Sequence, residues 1–265
     1  MLSIFITYML MGAFAGVLAG LLGIGGGLVI VPILYFCFTA QGVPNEVMMH
    51  LALGTSLATI IFTSISSMLA HRKHGAVLWD VFKVITPGIL TGTLLGSVIA
   101  TALPTNFLKG FFGLFLYYVS YQMLTGKKPK PGRTIPGPAG MFAAGNGIGI
   151  FSALVGIGGG TLSVPFLTWC NVRIHQAIGT AASIGLPIAI AGSLGYAWRG
   201  FGVEGVPSLS IGYIYLPALA GIVSMSIFTA PLGAKLAHSL PVGKLKKIFA
   251  LLLFLVGSKM LWSLI

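Results

Sequence analysis

The chain reads as a succession of long apolar blocks separated by short polar connectors. Stretches such as 51–70 and 245–265 are long enough to cross a hydrocarbon core of about 30 Å as helices. Plain spanning segments are predicted at about 48–70, 81–103 and 106–125, and again at about 177–198, 208–232 and 247–264. Before each set of three stands a longer apolar stretch, 3–39 and 139–170, interrupted by glycine at 23–27 and 156–160. A continuous helix over 3–39 would be roughly 55 Å long, too much for one crossing. Four glycines within five residues also break a helix strongly. Each opening stretch is therefore predicted to be two shorter helices meeting at glycine. The first of them lacks a basic leader and reads as a retained membrane segment.

The same design occurs twice. Leu21-Leu-Gly-Ile-Gly-Gly-Gly-Leu-Val-Ile-Val-Pro-Ile-Leu34 returns as Leu154-Val-Gly-Ile-Gly-Gly-Gly-Thr-Leu-Ser-Val-Pro-Phe-Leu167. His50-Leu-Ala-Leu-Gly-Thr55 returns as His175-Gln-Ala-Ile-Gly-Thr180, and Leu95-Gly96 with Leu103-Pro104 as Leu232-Gly233 with Leu240-Pro241. Order is kept, so these are repeats rather than chance likenesses of apolar segments. Between them lies Lys127-Lys-Pro-Lys-Pro-Gly-Arg133, then Pro136-Gly-Pro138; its prolines stop helices and its charges need water. This places a first membrane repeat at 1–126, a basic Pro-rich linker at 127–137 and a second repeat at 138–265.

Composition agrees with the blocks. Hydrophobic residues are 56% of the 265 and charged residues only 7%, far below the roughly one quarter that a soluble domain carries. The 38 glycines suit membrane helices whose backbones pack closely. A net charge of +12 could suggest nucleic acid, but the cations lie between apolar blocks without an aromatic–basic groove pattern, so no nucleic-acid partner is expected. They follow instead the excess of positive charge on the cytoplasmic side. If each opening stretch crosses an even number of times, a cytoplasmic linker leaves only Lys109, Arg199 and Lys259 on the other side. If each crosses once, the asymmetry weakens. The expected fold is thus an all-α polytopic membrane protein of two inverted-topology repeats. Each is a glycine-broken helical hairpin plus three transmembrane helices, about eight to ten membrane segments in all. The linker would be cytoplasmic, both termini periplasmic, and the bilayer the chain's first partner; a homo-oligomer is compatible with this pattern.

Inverted repeats with broken helices are a recurrent transporter design, so the glycine breaks are the first candidates for a site. Amides freed at a helix N-terminus carry partial positive charge and suit an anion. The candidates are Gly25, Gly26 and Gly27 in the first half and Gly158, Gly159 and Gly160 in the second, with Thr161 and Ser163 as hydroxyl donors. Glycine that only permits close helix packing is the plain alternative. Thr55, Ser56 and Thr180 recur beside a second glycine, where a hydroxyl could serve a solute or bond its own helix. Asn146, polar in an apolar block, could bind solute or satisfy unwound backbone. His50 and His175 read as interfacial residues at helix starts, and Cys37 and Cys170 as small packing residues without a mutual bond.

The acids are Glu46, Asp80 and Glu204, all in predicted loops. A mid-membrane carboxylate is the usual mark of a cation site or proton relay, so a cation pump is poorly supported. No Walker lysine motif, metal-ligand cluster or nucleophile–base pair is visible, and no enzyme activity, metal or cofactor is expected.

The paired Gly-Ile-Gly-Gly-Gly motifs with their following prolines (23–34 and 156–167) and the later Gly-Thr segments resemble the sulfite exporter TauE/SafE family over essentially the whole chain. The resemblance implies an inner-membrane transporter of small sulfur-containing anions such as sulfite, sulfoacetate or related organosulfonates. One departure is visible: Leu28 and Ile30 stand where the second half has Thr161 and Ser163, which implies an asymmetric site. The expected function is secondary transport of a small anion by alternating access. A passive anion channel of the same fold and a non-transporting membrane scaffold are the rivals.

Overall fold

The computed structural model describes residues 2–22, 26–73, 75–126, 132–239 and 242–264. Among these, ten helices follow one another. The first five are α1 (Leu2–Leu22), α2 (Gly27–Ala40), α3 (Asn45–Lys73), α4 (Trp79–Ala102) and α5 (Thr105–Thr125). The second five are α6 (Pro138–Val155), α7 (Gly160–Trp169), α8 (Ile174–Arg199), α9 (Leu216–Ser239) and α10 (Val242–Trp262). By length and composition α3, α4, α6 and α8 can each cross a membrane, and the chain is an all-α multi-pass membrane protein apart from one small hairpin.

That hairpin changes one expected span. The apolar run from 208 opens as two short antiparallel strands, β1 (Ser210–Ile211) and β2 (Ile214–Tyr215), and α9 starts only at Leu216. Gly212 turns the chain with a left-handed φ of 54° and packs its backbone on Ala197. Pro217 then falls in the first turn of α9, where its missing N–H costs no helical bond.

Both opening stretches break at glycine. Each forms two helices that return to the end where the first began. Gln41, at the close of α2, donates from Nε2 to the Tyr8 hydroxyl of α1 at 2.6 Å. The amides of Gly132 and Arg133, just before α6, donate to the Trp169 carbonyl at the close of α7 at 3.2 and 3.3 Å. At 14 and 10 residues, α2 and α7 rise only about 21 and 15 Å, so each starts inside the bundle.

Glycines set the packing. α4 lies along α6, with Gly88, Gly92 and Gly96 against the backbone of Phe142, Asn146 and Ile150. α1 lies along α9, with Gly12 on Ile222 and Gly16 on Ser226. In both pairs residue numbers rise together, so the helices run parallel. α3 and α8 cross at the centre antiparallel, Leu57 reaching Gly192 and Ser64 reaching Gly185. α5 and α10 also pair antiparallel, through the hydroxyls of Tyr117 and Ser258 at 2.8 Å and Ser120 donating to the Ala250 carbonyl. Arg72, Lys73, Arg133 and Arg173 gather where α3 ends and α6 and α8 begin, the basic end of the bundle. Glu46, Lys109 and Arg199 mark the opposite end.

Candidate functional site

The two glycine breaks meet in the middle of the bundle. A Cβ added to Gly27 would lie 2.7 Å from the Gly156 carbonyl oxygen and 2.9 Å from Ile157 Cα. The same Gly27 faces Ile60 of α3, as does Gly158. On the other side Gly159 is seated on α8, where a Cβ would come 2.6 Å from the Ala181 carbonyl oxygen and 3.0 Å from the Gly185 amide nitrogen. Backbone touches backbone here, and no larger residue fits without moving it. Gly26 and Gly156 also have left-handed φ values of 74° and 66°, which a side chain disfavours.

From this meeting point α2 and α7 run to opposite ends of the molecule. Both therefore turn their N-termini, with the positive ends of their dipoles, toward the centre. In α7 the first helical bond is the Ser163 amide to the Gly159 carbonyl, at 2.9 Å. The amides of Gly160, Thr161 and Leu162 precede it and find no carbonyl among the described residues. In the same turn the hydroxyls of Thr161 and Ser163 are buried and likewise have no partner among the described residues. In the first half the matching positions are Leu28 and Ile30, both buried apolar side chains. Gly25 lies outside the described residues.

The other candidate hydroxyls are engaged in the fold. Ser56 donates to the Gly156 carbonyl at 2.9 Å and so caps the tip of the second hairpin. Thr55 accepts the Tyr215 amide at 3.0 Å, and Thr180 accepts the Leu78 amide at 2.9 Å. These two bonds match each other. Tyr215 and Leu78 immediately precede α9 and α4, so each half's Gly-Thr pair fastens the start of the other half's fourth helix. Gly54 and Gly179 make room for this, their Cα atoms packing on the carbonyls of Tyr213 and Ala76.

Asn146 stands apart, about 15 Å of helix before Gly156. Its Nδ2 donates to the Phe142 carbonyl at 3.1 Å and its Oδ1 accepts from Thr91 at 3.2 Å, on the seam between α4 and α6. His50 is buried rather than interfacial: Nε2 lies 3.2 and 3.1 Å from the carbonyls of Ala100 and Leu103, and the ring stacks on Tyr213. Its counterpart His175 is exposed. Cys37 and Cys170 are both buried free thiols. Burial pushes the Cys170 thiol above its ordinary range, and nearby Arg133 opposes this. Among the described residues no cluster of His, Cys, Asp or Glu could hold a metal ion.

A family model described as Sulfite exporter TauE/SafE matches residues 8–260. The chain belongs to the sulfite exporter TauE/SafE family. The TauE/SafE match takes in both glycine breaks, both Gly-Thr segments and the linker. A probable membrane transporter protein of Haemophilus influenzae is 40% identical over 98% of this chain and 99% of its own length. The probable membrane transporter protein YunE of Bacillus subtilis is 28% identical over 98% of each chain. An archaeal protein of the same description, from Methanocaldococcus jannaschii, is 27% identical over 95% of this chain and 93% of its own. No solved structure matches this TauE/SafE chain.

Proposed function

We propose that this protein is an inner-membrane secondary transporter of a small anion, a sulfur oxyanion or organosulfonate such as sulfite or sulfoacetate, working by alternating access. The observation that carries the reading is the first turn of α7. Three amides without carbonyl partners and two buried hydroxyls without partners, among the described residues, lie where two helix N-termini converge. Those groups are donors in want of an acceptor, and an oxyanion is such an acceptor. The anion would sit against Gly158–Gly160, Thr161 and Ser163, with Gly26 and Gly27 of α2 opposite. The family description supports the choice of a sulfur-containing solute, and the relatives' names support membrane transport.

Alternating access draws on the symmetry of the packing. Exchanging the first five helices with the second five turns the α1–α9 pair into the α6–α4 pair and leaves α3–α8 and α5–α10 unchanged. Since α3 and α8 are antiparallel, an axis that exchanges them lies across the helices, in the plane of the membrane. On this reading the halves 1–126 and 138–265 are inverted repeats, and the solute lies at their interface.

Thermal stabilisation of the purified protein by sulfite, thiosulfate, sulfoacetate, taurine, sulfate and simple carboxylates is the direct test. One or a few sulfur anions should raise the melting temperature, and proteoliposomes should then show saturable uptake and counterflow of the same anion. Flux that does not saturate and shows no counterflow would assign a channel instead. A Thr161→Val/Ser163→Ala double variant that binds and transports like wild type would remove the site.

A further inference from the structure

Lys109, one turn into α5, is 3% exposed. Its ammonium donates to the Tyr35 hydroxyl at 3.1 Å and to the Ser263 carbonyl at 2.8 Å, and it lies 5.4 Å from the centroid of the Tyr35 ring. These partners are neutral. Among the described residues no carboxylate is within ion-pair reach, although a buried charge is ordinarily paired. An ammonium has three donors, and the described residues use two of them. A second cation, Lys259, stands 4.6 Å from the centroid of the neighbouring Phe36 ring, which adds positive charge to the same part of α2.

The position of Tyr35 matters. It is on α2, the helix whose N-terminus opens at the central meeting of the glycine breaks. Eight residues separate Gly27 from Tyr35, about 12 Å of rise toward the end of the bundle that carries Glu46. The repeat supplies a second, independent observation. Leu103-Pro104 and Leu240-Pro241 are each followed at the same offset by a lysine, Lys109 in the first half and Lys246 in the second. Exchange of the halves carries the one to the other.

We infer that Lys109 forms a second anion subsite, in which the third donor of its ammonium holds the small oxyanion between the central site and the end of the bundle opposite the basic one. The inference rests on the anion-transport reading above and adds a waypoint to it. A cation set in low-dielectric walls focuses its field and raises the local anion concentration.

The experiment is isothermal titration of the full-length protein in nanodiscs with sulfite, thiosulfate, sulfate and chloride, at low and high ionic strength. Wild type is compared with Lys109→Gln, Lys109→Arg, Lys246→Gln and the Thr161→Val/Ser163→Ala double variant. Lys109→Gln should weaken binding of the preferred anion about tenfold or more and flatten its salt dependence, whereas Lys109→Arg should stay within about threefold of wild type. Wild-type affinity in Lys109→Gln, with the double variant inactive, overturns the subsite and leaves the central site standing. The reverse pattern retains the subsite and overturns the central site. Equal loss in Lys109→Gln and Lys109→Arg assigns the lysine to packing and overturns the inference. No binding of any of the four anions by wild type overturns both.

Discussion

A buried hydroxyl without a partner gives up hydrogen bonds it had in water, whereas a partnered one costs most when its removal strands the other group. The hydroxyls around the glycine breaks divide on this line. Thr161 and Ser163 have no partner among the described residues, while Thr55, Ser56 and Thr180 each hold a backbone group from a different segment. Ser163→Ala should therefore leave the melting midpoint in detergent unchanged or raised by up to about 1 kcal/mol of stability, while anion affinity falls. Thr55→Val and Thr180→Val should each cost about 1–3 kcal/mol, because the amides of Tyr215 and Leu78 are left buried and unpaired. A destabilised Ser163→Ala would mean that its hydroxyl is bonded in the folded protein. The sequence shows that Gly-Thr recurs, but not why. The pair joins segments far apart in number, Thr55 to Tyr215 and Thr180 to Leu78, and no local pattern records such a bond. His50 was unreadable for the same reason: the two carbonyls at its Nε2 come from the far end of α4 and the residue just past it.

At the scale of helices, the position of each glycine decides its effect. Gly147 and Gly149 sit two residues apart on α6. A Cβ on Gly147 meets nothing within 4 Å, whereas one on Gly149 would lie 2.7 Å from the Ile89 carbonyl oxygen and the Thr93 amide nitrogen. Gly147→Ala should stabilise the protein by roughly 0.5–1 kcal/mol through helix propensity. Gly149→Ala should destabilise it by about 1–3 kcal/mol by forcing α4 and α6 apart. Chemical unfolding of both variants in the same micelle checks the contrast, and equal effects would refute the close packing of these helices. The two breaks were legible because four glycines in five residues override the apolar background. The delayed start of α9 was not, since the residues of β1 and β2 are as apolar as a helix that crosses a membrane and the hairpin depends on Gly212 docking against Ala197. Which face each helix buries was equally hidden, because helices apolar all round carry no stripe to read.

For the whole molecule, the charge pattern and the packing make one joint prediction. Arg72, Lys73, Arg133 and Arg173 lie at one end of the bundle although they belong to α3, to the approach to α6 and to the approach to α8. Hairpins that return to their starting end make this possible. α1 with α2 contributes no net crossing, so α3, α4 and α5 carry the chain from the end marked by Glu46 to the basic end. α6 with α7 again contributes none, and α8, α9 and α10 bring it back. A cytoplasmic basic end then puts residues 2 and 264 on the same, periplasmic side. A fluorescent protein inserted in the linker should mature in the cytoplasm and glow, while the same protein fused after residue 264 through the usual secretory route should stay dark. Alkaline phosphatase at that second position should be active. If the C-terminal fusion glows, the hairpins do not return, the halves are parallel, and the meeting of two helix N-termini at the centre loses the symmetry that alternating access requires. Orientation and mechanism therefore stand on the same two short helices, α2 and α7. Their length is what lets a chain with five helices in each half behave as one with three crossings.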